Sequence, residues 1–241
     1  MAVDDDIRRA YAPSGALRIA LNFGNRVLVG RDAAGAPAGI SVDLARALAD
    51  ELGLDLQLVE FERAVDVTNA AEQDLWDACF LAVDPERAKT ITFTHPYVRI
   101  AGTYLVAASA QAADSAEVVS NTLRIGVVDG SAYTLYLSRQ PGSENLTIYP
   151  DIFDALSGLD TGEVDGIAGI QQAMQGEADL RPGARVLQPP FMEIRQAMGT
   201  PAGRPLAAQH LSAWLADLAR CGAVSVILER HGVDGTCAVV A

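Results

Sequence analysis

The chain has 241 residues, half of them hydrophobic and only 20% charged, so it is too apolar to be disordered and long enough to bury one or two cores. Its 31 acidic residues against 18 basic ones give a formal net charge of −13. That excludes a protein that tracks nucleic-acid phosphates, but not a small anionic ligand held at a locally basic site.

No run approaches the roughly 18 apolar residues that span a bilayer. The opening Met1-Ala-Val-Asp-Asp-Asp-Ile is acidic and lacks the apolar stretch of a signal peptide. Two expectations therefore stand: a cytoplasmic protein, or a periplasmic one whose export signal has been removed.

Leu17 to Phe23 alternates like a strand and runs into a turn at Gly24-Asn25. Gly39 to Gly53 has Val42, Ala45, Leu48, Ala49 and Leu52 on one helical face, with Gly53 as the stop. Leu54 to Phe61 has the period-2 pattern of a strand. A helix is expected over Ala64 to Trp76, a short buried strand over Asp77 to Val83, and another strand over Ile100 to Ala108. Ser109 to Ser120 is small and polar, like a linker or short surface helix. The pattern then restarts: strand from Leu123, turn at Gly130-Ser131, helix Ala132 to Arg139, strand Leu146 to Tyr149, helix Asp151 to Gly162, strand Val164 to Gly169. An extended segment Met192 to Met198 and helices over Pro205 to Arg220 and Val224 to His231 close the chain. This order predicts two α/β lobes with mostly parallel sheets, residues 1–106 plus 193–241 and an inserted 107–192. Such folds bind ligands at the carboxyl ends of their strands. The halves look alike in architecture but not residue by residue, although an acidic residue (Asp77, Asp165) precedes a late strand in each; Asp165 reads as structural.

Cys79, Cys221 and Cys237 are odd in number and scattered, so no disulfide framework is expected; a Cys221–Cys237 pair stays open, and Cys79 reads as a core residue. His95, His210 and His231 lack zinc-site spacing, and neither a nucleophile elbow nor a phosphate-binding glycine loop occurs. No metal, cofactor or catalytic residue is expected. Tyr97 and Tyr104 read as core or hinge residues with partnered hydroxyls.

The most informative stretch is Asp84-Pro85-Glu86-Arg87-Ala88, followed by Ile91-Thr-Phe-Thr-His-Pro-Tyr97. Pro85 forces a turn, Asp84 can cap it, and Arg87 carries a planar fork of donors suited to a carboxylate. The alternative role for Arg87 is a surface pair with Glu86.

Four segments, in order, resemble the extracellular solute-binding proteins of the polar amino-acid uptake family, the Venus-flytrap receptors of ABC importers. They are Leu17-Arg-Ile-Ala, Ala38-Gly-Ile-Ser-Val-Asp-Leu-Ala, Asp84-Pro-Glu-Arg-Ala with Phe93-Thr-His-Pro-Tyr, and Leu123-Arg-Ile-Gly-Val-Val-Asp-Gly-Ser. The resemblance implies a two-lobe, hinged, periplasmic-binding-protein-like (type II) fold that works as a monomer, binds a small carboxylate in an interlobe cleft without chemistry, and delivers it to an ABC permease. It implies Arg87 as the carboxylate group and the Ser131-Ala132 turn as a further donor. Phe23 and Phe61, with Phe80 as a third candidate, would grip the ligand's body. Arg195 and Gln196 would line the cleft or bond across the hinge. Departures matter too. Phe80-Leu-Ala-Val83 stands where relatives carry small hydroxyl residues, while Asn22 and Gln171 stand at or near positions where an acid is common. A ligand without an ammonium group, or with a neutral polar group facing Asn22 and Gln171, therefore fits better than an ordinary amino acid. The resemblance leaves two alternatives: a cytosolic ligand sensor, and a prephenate-type dehydratase on the same fold.

Overall fold

The computed structural model describes residues 3–12 and 15–240. In chain order the elements are α1 (Asp5–Tyr11), β1 (Ala16–Asn22), β2 (Gly30–Arg31), β3 (Pro37–Ala38), α2 (Ile40–Leu52), β4 (Asp55–Phe61), α3 (Ala64–Asn69), β5 (Ala78–Ala82) and β6 (Ile91–Phe93). There follow β7 (Val98–Val106), α4 (Glu117–Ser120), β8 (Ile125–Val128), α5 (Ala132–Leu137), β9 (Leu146–Tyr149), α6 (Ile152–Thr161), β10 (Gly166–Ile170), α7 (Gln171–Asp179) and β11 (Arg185–Val186). The chain closes with β12 (Met192–Pro201), α8 (Pro205–Arg220) and α9 (Ala223–Arg230).

The chain divides into two compact units, Met1–Arg99 with Arg195–Ala241, and Ile100–Ile194. These divisions fall earlier than the expected 106/107 and slightly later than the expected 192/193. The reason is that most of β7 pairs with β10 and β11, and so belongs to the second unit.

In unit 1, β1 lies parallel between β4 and β5, and the 196–199 stretch of β12 adds antiparallel to β5. α2 begins where only glycine fits: Gly39 has φ +125°, and a Cβ there would sit 2.7 Å from the Leu28 carbonyl oxygen. Its apolar stripe of Ile40, Val42, Leu44, Ala45, Leu48 and Leu52 is buried, and Gly53 ends it in the left-handed conformation. A second cluster forms around Trp76, Val67, Cys79, Leu81 and Ile91. The expected helix from Ala64 to Trp76 stops at Asn69. The chain turns instead, so that Trp76 goes to the interior and its indole N–H donates to the Val67 carbonyl at 3.1 Å. Burying the largest apolar surface outweighs the weak preference to continue a helix.

In unit 2, β8 lies parallel between β9 and β10, with β7 antiparallel on β10. Asp151 caps α6 by accepting from Phe153 and Asp154 N–H at 2.8 and 2.9 Å, and Gly162 ends it. Leu105, Leu156, Leu159, Ile167 and Met174 fill the core. Two helices lie where the sequence shows no apolar stripe. In α7 only Met174 is buried, and α1 is a short capped helix.

The halves share more than architecture. Asp77 accepts from the Arg18 backbone N–H and guanidinium, and Asp165 does the same from Arg124. In each unit the arginine sits between an apolar pair, Leu17 and Ile19 or Leu123 and Ile125, so one local motif recurs in both.

Candidate functional site

In each unit the parallel strands end at one edge, and the loops beyond that edge carry the residues singled out in the sequence. In unit 1, Asn22 at the end of β1 is the register partner of Phe61 at the end of β4, and Phe23 N–H donates to the Phe61 carbonyl at 2.9 Å. The Asn22 side chain accepts from Gly24 N–H at 3.1 Å, holding the turn. Phe23 is half-buried, with the Arg31 guanidinium carbon 4.4 Å from its ring centroid and Arg31 held by Glu60 at 2.6 Å. Phe61 is half-buried against the Trp76 cluster. Phe80 is a core side chain, meeting Tyr97 edge-on at 6.2 Å between centroids. The Tyr97 hydroxyl lies near Ser41 but outside hydrogen-bonding geometry, and burial pushes its pKa up.

Arg87 is placed by the turn that follows β5. The Asp84 carboxylate accepts from Glu86 N–H at 2.9 Å and its carbonyl accepts from Ala88 N–H at 2.9 Å. The short 3₁₀ turn Arg87–Lys89 then returns the guanidinium to the strand end, where Nη1 donates to the Ala82 carbonyl at 2.9 Å. Glu86 pairs with Lys89. Arg87 is 3% exposed and Asp84 4% exposed. Burial pulls the guanidinium pKa down to about 10, and the charge of Asp84 opposes that shift. Burial pushes the nearby Cys79 thiol up. On β12, Gln196 is buried opposite Ala82, while Arg195 is exposed and its carbonyl accepts from Val83 N–H at 2.9 Å. Asn22, Phe23, Phe61, Arg87, Arg195 and Gln196 thus share the carboxyl edge of one sheet.

In unit 2, Ser131 caps α5. Its Oγ accepts from Thr134 N–H at 3.1 Å, and Thr134 Oγ1 donates to the Val128 carbonyl at 2.5 Å. Gly130, at φ +62°, makes the turn, and Ala132 is the first helical residue. Gln171 is the half-buried first residue of α7, directly after β10.

Sequence reasoning missed an aromatic group here. Phe191 lies 4.4 Å from the Tyr104 ring and 6.2 Å from Tyr136, centroid to centroid. Burial raises the Tyr104 pKa to about 12. The only local signal was the Pro189-Pro190 pair, which fixes an extended approach to Phe191. Among the described residues no three metal-ligating side chains cluster, and the three cysteines are free.

The profile of the bacterial extracellular solute-binding proteins, family 3, matches residues 18–233. No curated protein matches the chain by sequence. Solved structures do match. The P235GK mutant of ArgBP from T. maritima aligns with a TM-score of 0.77 at 17% identity, over 93% of this chain and 98% of that one. A histidine kinase sensor domain with similarity to periplasmic binding proteins gives 0.77 at 19% identity, over 89% and 95%. The ancestral amino acid-binding protein AncCDT-1, described as a precursor of cyclohexadienyl dehydratase, gives 0.73 at 20% identity, over 92% and 97%. At these identities the likeness is one of fold: a periplasmic-binding-protein-like α/β architecture.

Proposed function

This chain belongs to the bacterial extracellular solute-binding proteins, family 3, and we propose that it binds a small organic carboxylate without turning it over, with Arg87 as the group that meets the acid. The observation that carries the reading is the burial of a guanidinium at the carboxyl edge of a parallel sheet, on a turn that holds it to the Ala82 carbonyl. A buried guanidinium recognises a planar acid group more strongly than an exposed one, because water competes less for its donors. Phe23 and Phe61, at adjacent strand ends, supply apolar faces for the ligand's body. Asn22 is neutral, and an ammonium buried without a carboxylate is costly, so the ligand is a carboxylate without an amine, or one with a neutral polar group there. Uptake through an ABC permease, by a monomeric receptor, is the role that this family membership supports.

The likeness to a dehydratase precursor raises an enzymatic reading. That chemistry calls for a carboxylic acid with a raised pKa. At the end of β1, where an acid is common in the family this chain resembles, the side chain is the neutral amide Asn22. Binding without turnover is therefore the better reading.

A thermal-shift screen of amino acids, keto acids and dicarboxylates tests it. A ligand at 100 times its Kd adds about 2.7 kcal/mol of apparent stability. Arg87→Met should abolish the shift given by the best carboxylate; retention of full affinity removes Arg87 from the site.

A further inference from the structure

Phe23, half-buried just past the end of β1, is covered on one face by a side chain of the β2–β3 hairpin: the Arg31 guanidinium carbon lies 4.4 Å from its ring centroid. Two further contacts fix that guanidinium. Nη2 donates to the Glu60 carboxylate at 2.6 Å, and Nη1 donates to the Gly35 carbonyl at 3.2 Å. The hairpin is itself braced, since Asp32 Oδ1 accepts from Ala34 and Ala36 N–H at 2.9 and 3.0 Å and Arg31 is the register partner of Pro37. Glu60 directly precedes Phe61, so Arg31 touches both strand ends that carry the aromatics. The ion pair is exposed, with side chains 45% and 38% accessible, and adds little to stability. Its effect is to aim a planar fork at a ring, a stacking that the compact ammonium of lysine does not reproduce.

We propose that Arg31 is a positioning residue for ligand binding: it holds the Phe23 ring from one face and so presents the other to the ligand's apolar body. This rests on the reading of Phe23 as a ligand contact and adds the residue that orients it. A phenylalanine past a strand end turns about two side-chain torsions, and fixing them when a ligand arrives costs affinity. With Arg31 in place that ordering is already done in the free protein. The ligand class that gains most is a carboxylate with a flat apolar body, since a ring stacks on a ring and a small acid does not reach it.

The test is a double-mutant cycle on selectivity. Hydrocinnamate and acetate are titrated into wild type, F23A, R31M and the F23A/R31M double variant. The ratio of their Kd values is the readout, with Tm of the free protein and circular dichroism as checks of fold. Wild type should prefer hydrocinnamate, and F23A should lose most of that preference. R31M should lower it roughly three- to tenfold, the ordering cost of one side chain, with the Tm of the free protein nearly unchanged. Once Phe23 is gone, R31M should have no further effect. Arg31→Lys, which keeps the charge but not the flat stack, should restore only part of the preference. Arg31→Gln gives the same answer if R31M folds poorly. The inference is overturned if the Arg31 variants keep or raise the preference that F23A loses, or if R31M lowers it equally with and without Phe23. If F23A keeps the full preference, or wild type shows none, the reading of Phe23 falls and the inference with it, while Arg87's role is left to the ligand screen.

Discussion

The two units carry the same clasp in different surroundings. In unit 1, Arg18 N–H donates to Asp77 at 2.9 Å while Asp77 N–H donates to the Arg18 carbonyl at 2.8 Å. In unit 2, Arg124 and Asp165 repeat both distances. Each clasp ties the start of one parallel strand to the start of the next. The difference is burial. Asp77 is fully buried and takes a second arginine, Arg204, at 2.6 Å, which in turn holds the Tyr11 carbonyl. In the other unit the Arg124 side chain is 52% exposed and Asp165 31%. One local geometry therefore has two energetic meanings. In unit 1 it anchors the N-terminal helix and α8 to the sheet; in unit 2 water shares most of the charge.

The comparison breaks most sharply at Asp77. Asp77→Ala leaves Arg18 and Arg204 without their shared anion and should cost about 3–5 kcal/mol in urea denaturation. A loss below 1 kcal/mol would mean that burial does not distinguish the clasps. Next in size is Arg204→Met, which removes hydrogen bonds to a charged partner and should cost about 1.5–3 kcal/mol. Asp165→Asn should cost the least, about 0.2–1 kcal/mol at moderate salt.

Acid titration sharpens the contrast. Arg124 holds the Asp165 carboxyl below its usual range. The group therefore binds protons more readily unfolded than folded, and its contribution is present above the ordinary carboxylate pKa and lost as pH falls through the lowered value. The stability difference between wild type and D165N should shrink over that window. His210, whose Nδ1 lies 3.1 Å from the Tyr11 hydroxyl, shows the same sign at higher pH. Burial lowers its pKa, against a weaker pull from Glu51. Its contribution is intact above about 6.5 and declines as pH drops below it. His210→Gln should flatten that small slope in Tm against pH, and an unchanged slope would assign it elsewhere.

Much of this was legible beforehand. Strands β1, β4 and β5 and helices α2 and α8 follow from periodicity with glycine or proline at their ends, because a stripe of apolar residues has one favourable partner, the core. The short reach of α3 was not legible, since what stops it is the burial of Trp76 in a cluster with Ala20, Cys79 and Leu81 from the strands, which spacing within the segment does not show. α7 escaped notice because one buried Met174 makes no stripe. At the site, the turn at Asp84-Pro85 and the strand-end positions of Phe23 and Phe61 were readable, whereas the packing of Phe80 into the core against Tyr97 was not.

From the order of residues alone came the elements, their alternation, the duplicated architecture and the arginine turn, because dihedral preference and apolar spacing act over a few residues. Only folding in three dimensions decided which charges are buried: why Asp77 stands between two arginines and Asp165 beside one, and why Asp84 and Arg87 are withdrawn from water. Solvent exclusion at a point depends on every segment packed around it, and that is a property of the assembled chain.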